Sequence, residues 1–299
     1  MRRLPVATAM LAAATLVFAG CSTPAGVDGK IGDDWATLAE PVSFTPDAGV
    51  CHPTGFSETA YRTAYRPVDC GQTHQTETAY VGSFSGAAAE RTSPPRAGSP
   101  ELRAAFAECD RQARAYLGND WRNGRLWLGV TLPSVPAWEG GARWYRCEVS
   151  ELDDVENYGD TVSRTGSLKG ALAKASALNL GCYNYVANAD DGRFTAVACT
   201  KSHNAEFVGV HVAPNVPYPA KDSDWDRFHA ACRRLVAAYA KVPDDGNLKY
   251  RTGTVLVPNG DVEWKNGNRG IRCYAWLSDR KLTRTLRGIG TKGLPINYA

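Results

Sequence analysis

The chain has 299 residues, with 34 basic residues against 31 acidic ones and a formal net charge of +3. No basic block is longer than two residues, so the composition excludes a nucleic-acid binder, which needs a concentrated basic face. The length is enough for two domains, each of which can bury a hydrophobic core of its own.

The N-terminus is predicted to be a signal peptide, residues 1–20, followed by a lipidated cysteine. Two arginines precede an apolar run that ends in two small residues just before Cys21, which is the order of a secretory signal. Small residues before a cysteine resemble the lipobox of bacterial lipoproteins, in which that cysteine is acylated. The alternative is an uncleaved membrane anchor, but the run is shorter than the roughly 20 residues of a spanning helix. We therefore expect a palmitate-type anchor on Cys21.

Residues 21–34 are small and polar and are predicted to form a lipidated tether to a first domain, residues 35–174. One helix is predicted in this domain, because Ser99 can cap its start and Gly118 can stop it. Its apolar stripe includes Cys109, which should face the core. Alternating apolar and polar residues predict strands in this domain, at 80–84, 126–130 and 144–149.

The second domain, residues 175–299, repeats this plan. A helix is predicted to start at Asp222 or Ser223, with Cys232 on its inward stripe. Strands are predicted at 194–199, 206–212, 252–257 and 270–277. Few strands, one main helix and long connections predict an α+β fold. We expect two homologous, small, disulfide-stapled domains, each with a short-stranded sheet and one main helix.

The four-cysteine framework of the first domain recurs in the second. Cys51, Cys70, Cys109 and Cys147 return as Cys182, Cys199, Cys232 and Cys273. A repeat of this length indicates two homologous domains rather than a solenoid. Eight cysteines in an exported chain predict four disulfides, and three pairings are open in each domain. We favour pairs that bracket a hairpin-sized segment and tie the helix to the last strand: Cys51–Cys70, Cys109–Cys147, Cys182–Cys199 and Cys232–Cys273. Zinc is the alternative, but there is no Cys-x2-Cys knuckle.

A second pattern accompanies the cysteines. Cys-x3-His-x2-Glu occurs at residues 70–77 and again at 199–206, and a tryptophan and an Arg-x-x-Arg-Cys motif follow each time. This order resembles the septum formation domain of actinobacterial envelope proteins, present here as two tandem copies. The resemblance implies an extracytoplasmic protein linked to division or envelope growth, and it supplies no known reaction.

The recurring motif contains the candidate site residues: His74 with Glu77, and His203 with Glu206. They could ligate a metal, or the glutamate could act as a general base beside a bound water. Residues three apart on a strand point to opposite faces, so we expect each histidine in the turn before a strand. The structural interpretation is favoured: the histidine is hydrogen-bonded beside the disulfide, and the glutamate orients a loop or pairs with Arg143 or Arg269.

Other signs of chemistry are weak. The sequence lacks the nucleophile-elbow, His-Glu-x-x-His and phosphate-loop motifs, and no catalytic residue, cofactor or metal is predicted. The remaining histidines have no counterpart in the other copy and received less weight: His52, His211 and His229. Six tryptophans could line a sugar-binding face, although packing is the favoured interpretation: Trp121, Trp127, Trp138, Trp144, Trp264 and Trp276.

The sequence thus predicts a non-enzymatic lipoprotein on the extracytoplasmic face of the cell membrane. We expect a binding or scaffolding module linked to septum formation or envelope growth. Its expected partners are the membrane, through the lipid on Cys21, and envelope or division proteins or cell-wall glycan. The alternative is a metal-dependent envelope hydrolase that uses the two His-x-x-Glu motifs. A solute-binding lipoprotein is a third possibility, but such proteins use larger lobes.

Overall fold

Two five-stranded sheets, one from each half of the chain, form the centre of the fold. The computed structural model describes residues 43–187 and 192–298. The predicted signal peptide, Cys21 and the tether lie outside these residues. Ser43–Ala299 forms one compact unit, in which the first half is 43–174 and the second half is 175–298. Among the described residues, no helix has the length and apolar character needed to cross a membrane.

The strands of the two halves follow the same order. The first half contributes β1 (Cys51–His52), β2 (Thr59–Ala60), β3 (Thr76–Ser83), β4 (Leu126–Pro133) and β5 (Trp144–Glu151), arranged β1-β3-β5-β4-β2. The second contributes β6 (Cys182–Val186), β7 (Arg193–Val197), β8 (Ala205–Val212), β9 (Gly253–Val257) and β10 (Gly270–Trp276), arranged β7-β6-β8-β10-β9. Four antiparallel strands therefore correspond, β1-β3-β5-β4 with β6-β8-β10-β9. Each sheet adds one edge strand of its own.

One long helix covers a face of each sheet. The helices are α1 (Pro100–Leu117), α2 (Val135–Glu139), α3 (Asp226–Ala240), α4 (Asp261–Lys265) and α5 (Gly290–Gly293), with 3-10 turns at Arg62–Ala64, Gly86–Ala88, Trp121–Asn123, Asp222–Trp225 and Leu248–Tyr250. The start of α1 is capped as predicted, because the Ser99 side chain accepts a hydrogen bond from the Leu102 N–H at 3.2 Å. Gly118 ends the helix in the left-handed region, at φ +83°. The predicted start of the second helix falls in a 3-10 turn, and α3 follows it.

Both sheets carry a bulge at the same place. The register of β3 against β5 shifts between Thr78 and Tyr80. The register of β8 against β10 shifts at the corresponding step, opposite Cys273 and Tyr274. Side chains alternate between the faces of a strand, so each sheet has a helix face under α1 or α3 and an opposite face, called here the outer face.

Four disulfides join these elements. Cys109 in α1 is bonded to Cys147 in β5, and Cys232 in α3 is bonded to Cys273 in β10. The other two close the segments that begin at β1 and β6: Cys51–Cys70 and Cys182–Cys199. These are the four pairs expected from the sequence. The α+β architecture with disulfide staples is confirmed.

The two halves meet through a buried arginine. Arg272 in β10 donates from Nε to the Arg122 carbonyl at 3.1 Å and from Nη2 to the Leu126 carbonyl at 2.9 Å. In return, Arg122 Nη2 donates to Asn268 Oδ1 at 3.0 Å. The second sheet is thereby fixed to the backbone that leads into β4 of the first sheet.

Candidate functional site

The first His–Glu pair lies at the start of β3 and is fully buried, with no exposed side-chain surface on His74 or Glu77. His74 lies in the turn before the strand, as predicted, and its N–H donates to the Arg164 carbonyl at 2.9 Å. Its ring bridges two acceptors: Nδ1 is 2.8 Å from the Gln72 carbonyl, and Nε2 is 3.1 Å from Glu77 Oε1.

Glu77 joins three separate segments of the first half. Its Oε2 accepts from the Tyr116 hydroxyl at 2.8 Å and the Ser167 hydroxyl at 2.9 Å, and Oε1 accepts from the Leu168 N–H at 2.6 Å. Burial raises the pKa of Tyr116 to about 12, and the nearby Glu77 charge also raises it, so the phenol remains a donor at neutral pH. The carboxylate therefore holds the last turn of α1 to β3, together with the segment around Ser167 and Leu168, called here the tail segment.

The bonds of His74 compensate the cost of burying its ring. A buried polar group is unfavourable unless it is hydrogen-bonded. Both ring nitrogens of His74 have partners, one in the turn and one on Glu77, so the pair is buried without an unpaired ring nitrogen.

The second half builds the same network. Glu206 accepts from the Tyr239 hydroxyl at 2.6 Å, from the Leu286 N–H at 2.6 Å and from the Thr285 hydroxyl. One bond differs: His203 Nε2 lies 3.9 Å from Glu206 Oε2 and has no hydrogen-bond partner among the described residues. The two networks, called here the His–Glu networks, thus share their tyrosine, hydroxyl and backbone donors but not the histidine bond.

The expected pairing of the glutamates with Arg143 or Arg269 is wrong. Arg143 stacks on Trp138, with Cζ 4.4 Å from the ring centroid, and donates to backbone carbonyls. It lies at the far end of the sheet from Glu77, because it precedes β5 whereas Glu77 faces Val149 near the end of that strand. The expected role in orienting a loop matches the bonds to the tail segments.

The His–Glu networks do not have the donor set of a zinc site. Possible ligand atoms lie within 4.8 Å of one another in two buried clusters: Cys51, His74 and Glu77, and Cys182, His203 and Glu206. Zinc takes sulfur as a thiolate, but both cysteines are bonded in disulfides. Each cluster then offers two ligands where structural zinc uses four, and the glutamate oxygens already accept hydrogen bonds.

The six tryptophans do not line one common surface. Trp121, Trp138 and Trp264 are buried in the cores under the helices, at 0 or 1% exposure. Trp127 lies on the outer face of β4 and packs edge-to-face on Phe56, with centroids 4.3 Å apart. Both line a cleft of about 490 Å³. Packing is therefore the role of the three buried rings, and only Trp127 among these four borders a cleft.

A second buried cluster lies on the outer face of the first sheet, and His52 is its only member among the candidates named from the sequence. This outer-face cluster consists of His52, Thr78, Arg146 and Glu148, all at most 9% exposed. His52 Nε2 is 2.9 Å from Thr78 Oγ1, which donates to Glu148 Oε1 at 2.9 Å. Arg146 Nε lies 2.9 Å from the same carboxylate oxygen. Recurrence could not reveal these residues, because the second half has a different residue at all but the arginine position.

The fold and the networks define a class of protein: an α+β module of two similar sheets, stapled by disulfides, whose buried histidines and glutamates join chain segments. The chain belongs to the septum formation family, whose model matches residues 48–273 and so spans both halves. The predicted family is confirmed, and membership supports a septum-related role in the cell envelope. No curated protein and no solved structure matches the chain.

Proposed function

We propose that the protein is a non-enzymatic lipoprotein that binds or scaffolds other envelope components during septum formation or envelope growth. It acts at the extracytoplasmic face of the cell membrane, anchored by acylated Cys21. Four disulfides support this compartment, since such bonds persist in oxidising surroundings. Membership of the septum formation family supports the link to division.

The observation that carries the non-enzymatic proposal is that the glutamates of both His–Glu pairs bind separate segments of the chain to one another through buried hydrogen bonds. His74 and Glu77 are fully buried, and their polar atoms are bonded to the turn, α1 and the tail segment. A general base must reach a substrate or a bound water, and these groups do not reach solvent. The recurring histidines and glutamates, which are the residues best suited to catalysis, therefore have a structural role.

We also propose that residues 35–174 and 175–299 are two copies of one domain. The equal order of four strands and the equal position of the bulge support this. So does the recurrence of the glutamate–tyrosine–hydroxyl network with the same backbone donor. Two such domains would present two rigid binding surfaces on a single lipid-anchored chain.

The anchor is tested by Cys21→Ser followed by membrane fractionation. The wild type is expected in the membrane fraction, and the variant in the soluble fraction or as an uncleaved precursor, because the acylated side chain is lost. Ser22→Ala is the control and should fractionate like the wild type. A Cys21→Ser protein that fractionates and migrates as the wild type does would exclude lipidation at this residue.

The division role is tested in cells by deletion and by imaging a tagged chain. We expect enrichment at division sites, and late or misplaced septa in the deletion strain. Crosslinking in cells followed by mass spectrometry then identifies the partner, either a division protein or cell-wall glycan. Uniform distribution around the envelope together with normal septa would contradict the proposal.

Metal analysis separates the proposal from the alternative, a metal-dependent envelope hydrolase. The purified wild type is expected to hold no stoichiometric zinc, because Cys51 and Cys182 are bonded in disulfides. The hydrolase would be favoured by bound zinc that disappears in the Glu77→Gln, Glu206→Gln double variant while the fold is retained.

A further inference from the structure

The outer faces of the two sheets differ at most equivalent positions. In the first sheet, Thr78 faces Glu148 across β3 and β5. In the second sheet, the equivalent pair is Phe207 facing Tyr274. The same registers pair four further polar positions of the first sheet with apolar or aromatic ones of the second: His52 with Tyr183, Thr76 with Ala205, Thr131 with Val257, and Ser150 with Trp276. The arginine is common to both faces, as Arg146 and Arg272.

The second outer face carries aromatic side chains where the first sheet has His52, Thr78 and Glu148, and it retains a buried arginine, Arg272. Tyr183, Phe194 and Tyr274 pack on one another with ring centroids 4.9 to 5.5 Å apart, and Leu180 and Val155 complete the cluster. The same arrangement of strands is therefore stable with aromatic side chains at these positions. The fold itself does not require the outer-face cluster of the first sheet.

Burying that cluster has a cost. A charged pair removed from water is often no more stable than well-packed apolar groups of the same volume. Glu148 is 1% exposed, and burial raises its pKa even though Arg146 lowers it. Its Oε2 has no hydrogen-bond partner among the described residues. An unpaired acceptor in a buried site is unfavourable, and a ligand with a suitable donor would relieve this cost.

A cavity of about 180 Å³ lies over the cluster, and the segment from β1 to Tyr65 encloses it. His52, Arg146 and Glu148 line its floor, with Thr131 beside them. A water molecule occupies about 30 Å³ in the liquid, so the cavity is larger than a single bridging water needs. It is a recess with a polar floor rather than a packing defect.

The floor is close to electrically neutral. Arg146 compensates Glu148 at 2.9 Å. Burial, followed by the Arg146 charge, lowers the pKa of His52 to about 4, so its ring is neutral at physiological pH. A strongly charged ligand would therefore find no net opposite charge, whereas a neutral ligand rich in hydroxyl and amide groups would find donors and acceptors.

The rim is aromatic. Tyr61 is 58% exposed and Phe56 is half-buried, and both line this cavity and the neighbouring cleft that contains Trp127. Aromatic walls with a few placed polar groups are typical of small-ligand sites. Aromatic faces suit the C–H surface of a sugar ring, and a carboxylate with an arginine suits its hydroxyls.

We propose that this cavity binds a neutral sugar ring, with ring hydroxyls donating to Glu148 and accepting from Arg146. The inference rests on the proposed envelope function, in which cell-wall glycan is a candidate partner. Thr131, which donates to the Ser57 carbonyl at 2.7 Å, is a positioning residue that holds the enclosing segment over the site.

The test is calorimetric titration of the purified full chain with two probes: N-acetylglucosamine, and its β-1,4-linked tetramer. Saturable binding of at least one probe is expected. Glu148→Gln keeps the shape of the side chain but replaces one acceptor with a donor, and it should weaken binding at least tenfold. Tyr274→Phe, at the equivalent position of the other sheet, is the matched control and should change affinity less than twofold. Melting curves verify that both variants fold.

The two probes distinguish a free sugar from a glycan strand. Equal binding of both indicates recognition of one ring, whereas preference for the tetramer indicates a strand that continues into the neighbouring cleft. Amide shifts of Thr78 and Thr131 in wild-type NMR spectra should move on titration, which locates the site without any substitution. No saturable binding, unchanged affinity in Glu148→Gln, or shifts confined to other residues would overturn the inference. If sugar binding fails while septal enrichment persists, only this inference falls.

Discussion

At the scale of single residues, the two His–Glu networks differ in one bond, and this difference is measurable. His74 Nε2 bonds to Glu77 at 3.1 Å, whereas His203 Nε2 lies 3.9 Å from Glu206. We expect His74→Ala to destabilise the protein by about 1–2 kcal/mol more than His203→Ala, because only the first loses a bond to a charged group. Thermal melts should show this as roughly 2–4 °C per kcal/mol for a unit of this size. Equal losses would show that the bond contributes nothing.

His52 should make stability depend on pH. Burial and the Arg146 charge lower its folded pKa from 6.5 to about 4. Between these values the unfolded chain binds a proton that the folded chain does not, so stability falls as the pH falls through this window. The difference between the two pKa values corresponds to about 3 kcal/mol. Urea unfolding at pH 7 and at pH 4 measures the loss.

The matched variant for this prediction is His52→Gln, which retains hydrogen bonding without titrating. It should lose less stability than the wild type between pH 7 and pH 4. A residual dependence is expected, because burial also lowers the pKa of His211 and His229, and Glu148 lies beside the substituted position. The same loss in both proteins would contradict the assignment to His52.

The recurrence of the His-x-x-Glu motif pointed to the His–Glu networks, but recurrence could not identify the outer-face cluster, whose residues differ between the halves except for the arginine. A residue that recurs at a fixed offset is one that both halves of the chain use, so recurrence selects scaffold residues such as Glu77. The cluster is visible only as a difference between the halves, for example His52 against Tyr183. That comparison needs the strand register, including the bulge, and the register follows from tertiary pairing.

At the scale of elements, each main helix depends on its disulfide to the last strand of its sheet. Cys109–Cys147 closes a separation of 38 residues, and Cys51–Cys70 one of 19. In the chain-entropy model the first stabilises by about 4 kcal/mol and the second by about 3. Cys109→Ala with Cys147→Ala should lower the free energy of unfolding accordingly, measured in urea, with the Cys51→Ala, Cys70→Ala variant for comparison. Non-reducing peptide mapping verifies the pairs, and an unchanged free energy would refute the role of the staple.

Local signals predicted the two main helices better than the shortest elements. The capping serine and the glycine stop of α1 act within one turn, so the sequence alone places its ends. By contrast, β1 and β2 are two residues long, and β2 pairs in parallel with β4. No periodicity can form in two residues, so the prediction missed both strands. It also missed the five-residue β6 and the short helices α2, α4 and α5.

At the scale of the whole molecule, Arg272 should couple the two halves. Arg272→Ala leaves the carbonyls of Arg122 and Leu126 without their donor, and each unpaired buried group costs about 1–3 kcal/mol. Calorimetry of the wild type is expected to show one cooperative transition, and the variant a lower and broader one. Arg284→Ala, at an exposed position, should change stability by no more than about 0.5 kcal/mol. Two separate transitions in the wild type would mean that the halves unfold independently.

The bonds of Glu77 and Glu206 also predict an order of folding. Synthesis and export both proceed from the N-terminus, so Glu77 emerges long before Ser167 and Leu168, which donate to it. Until those donors are present, the carboxylate is more stable in water than in a buried site. The first half can complete its network before the second half has emerged. Glu206 needs Thr285 and Leu286, which lie in the last segment of the second half. We therefore expect two successive folding steps, each completed by the final segment of its half.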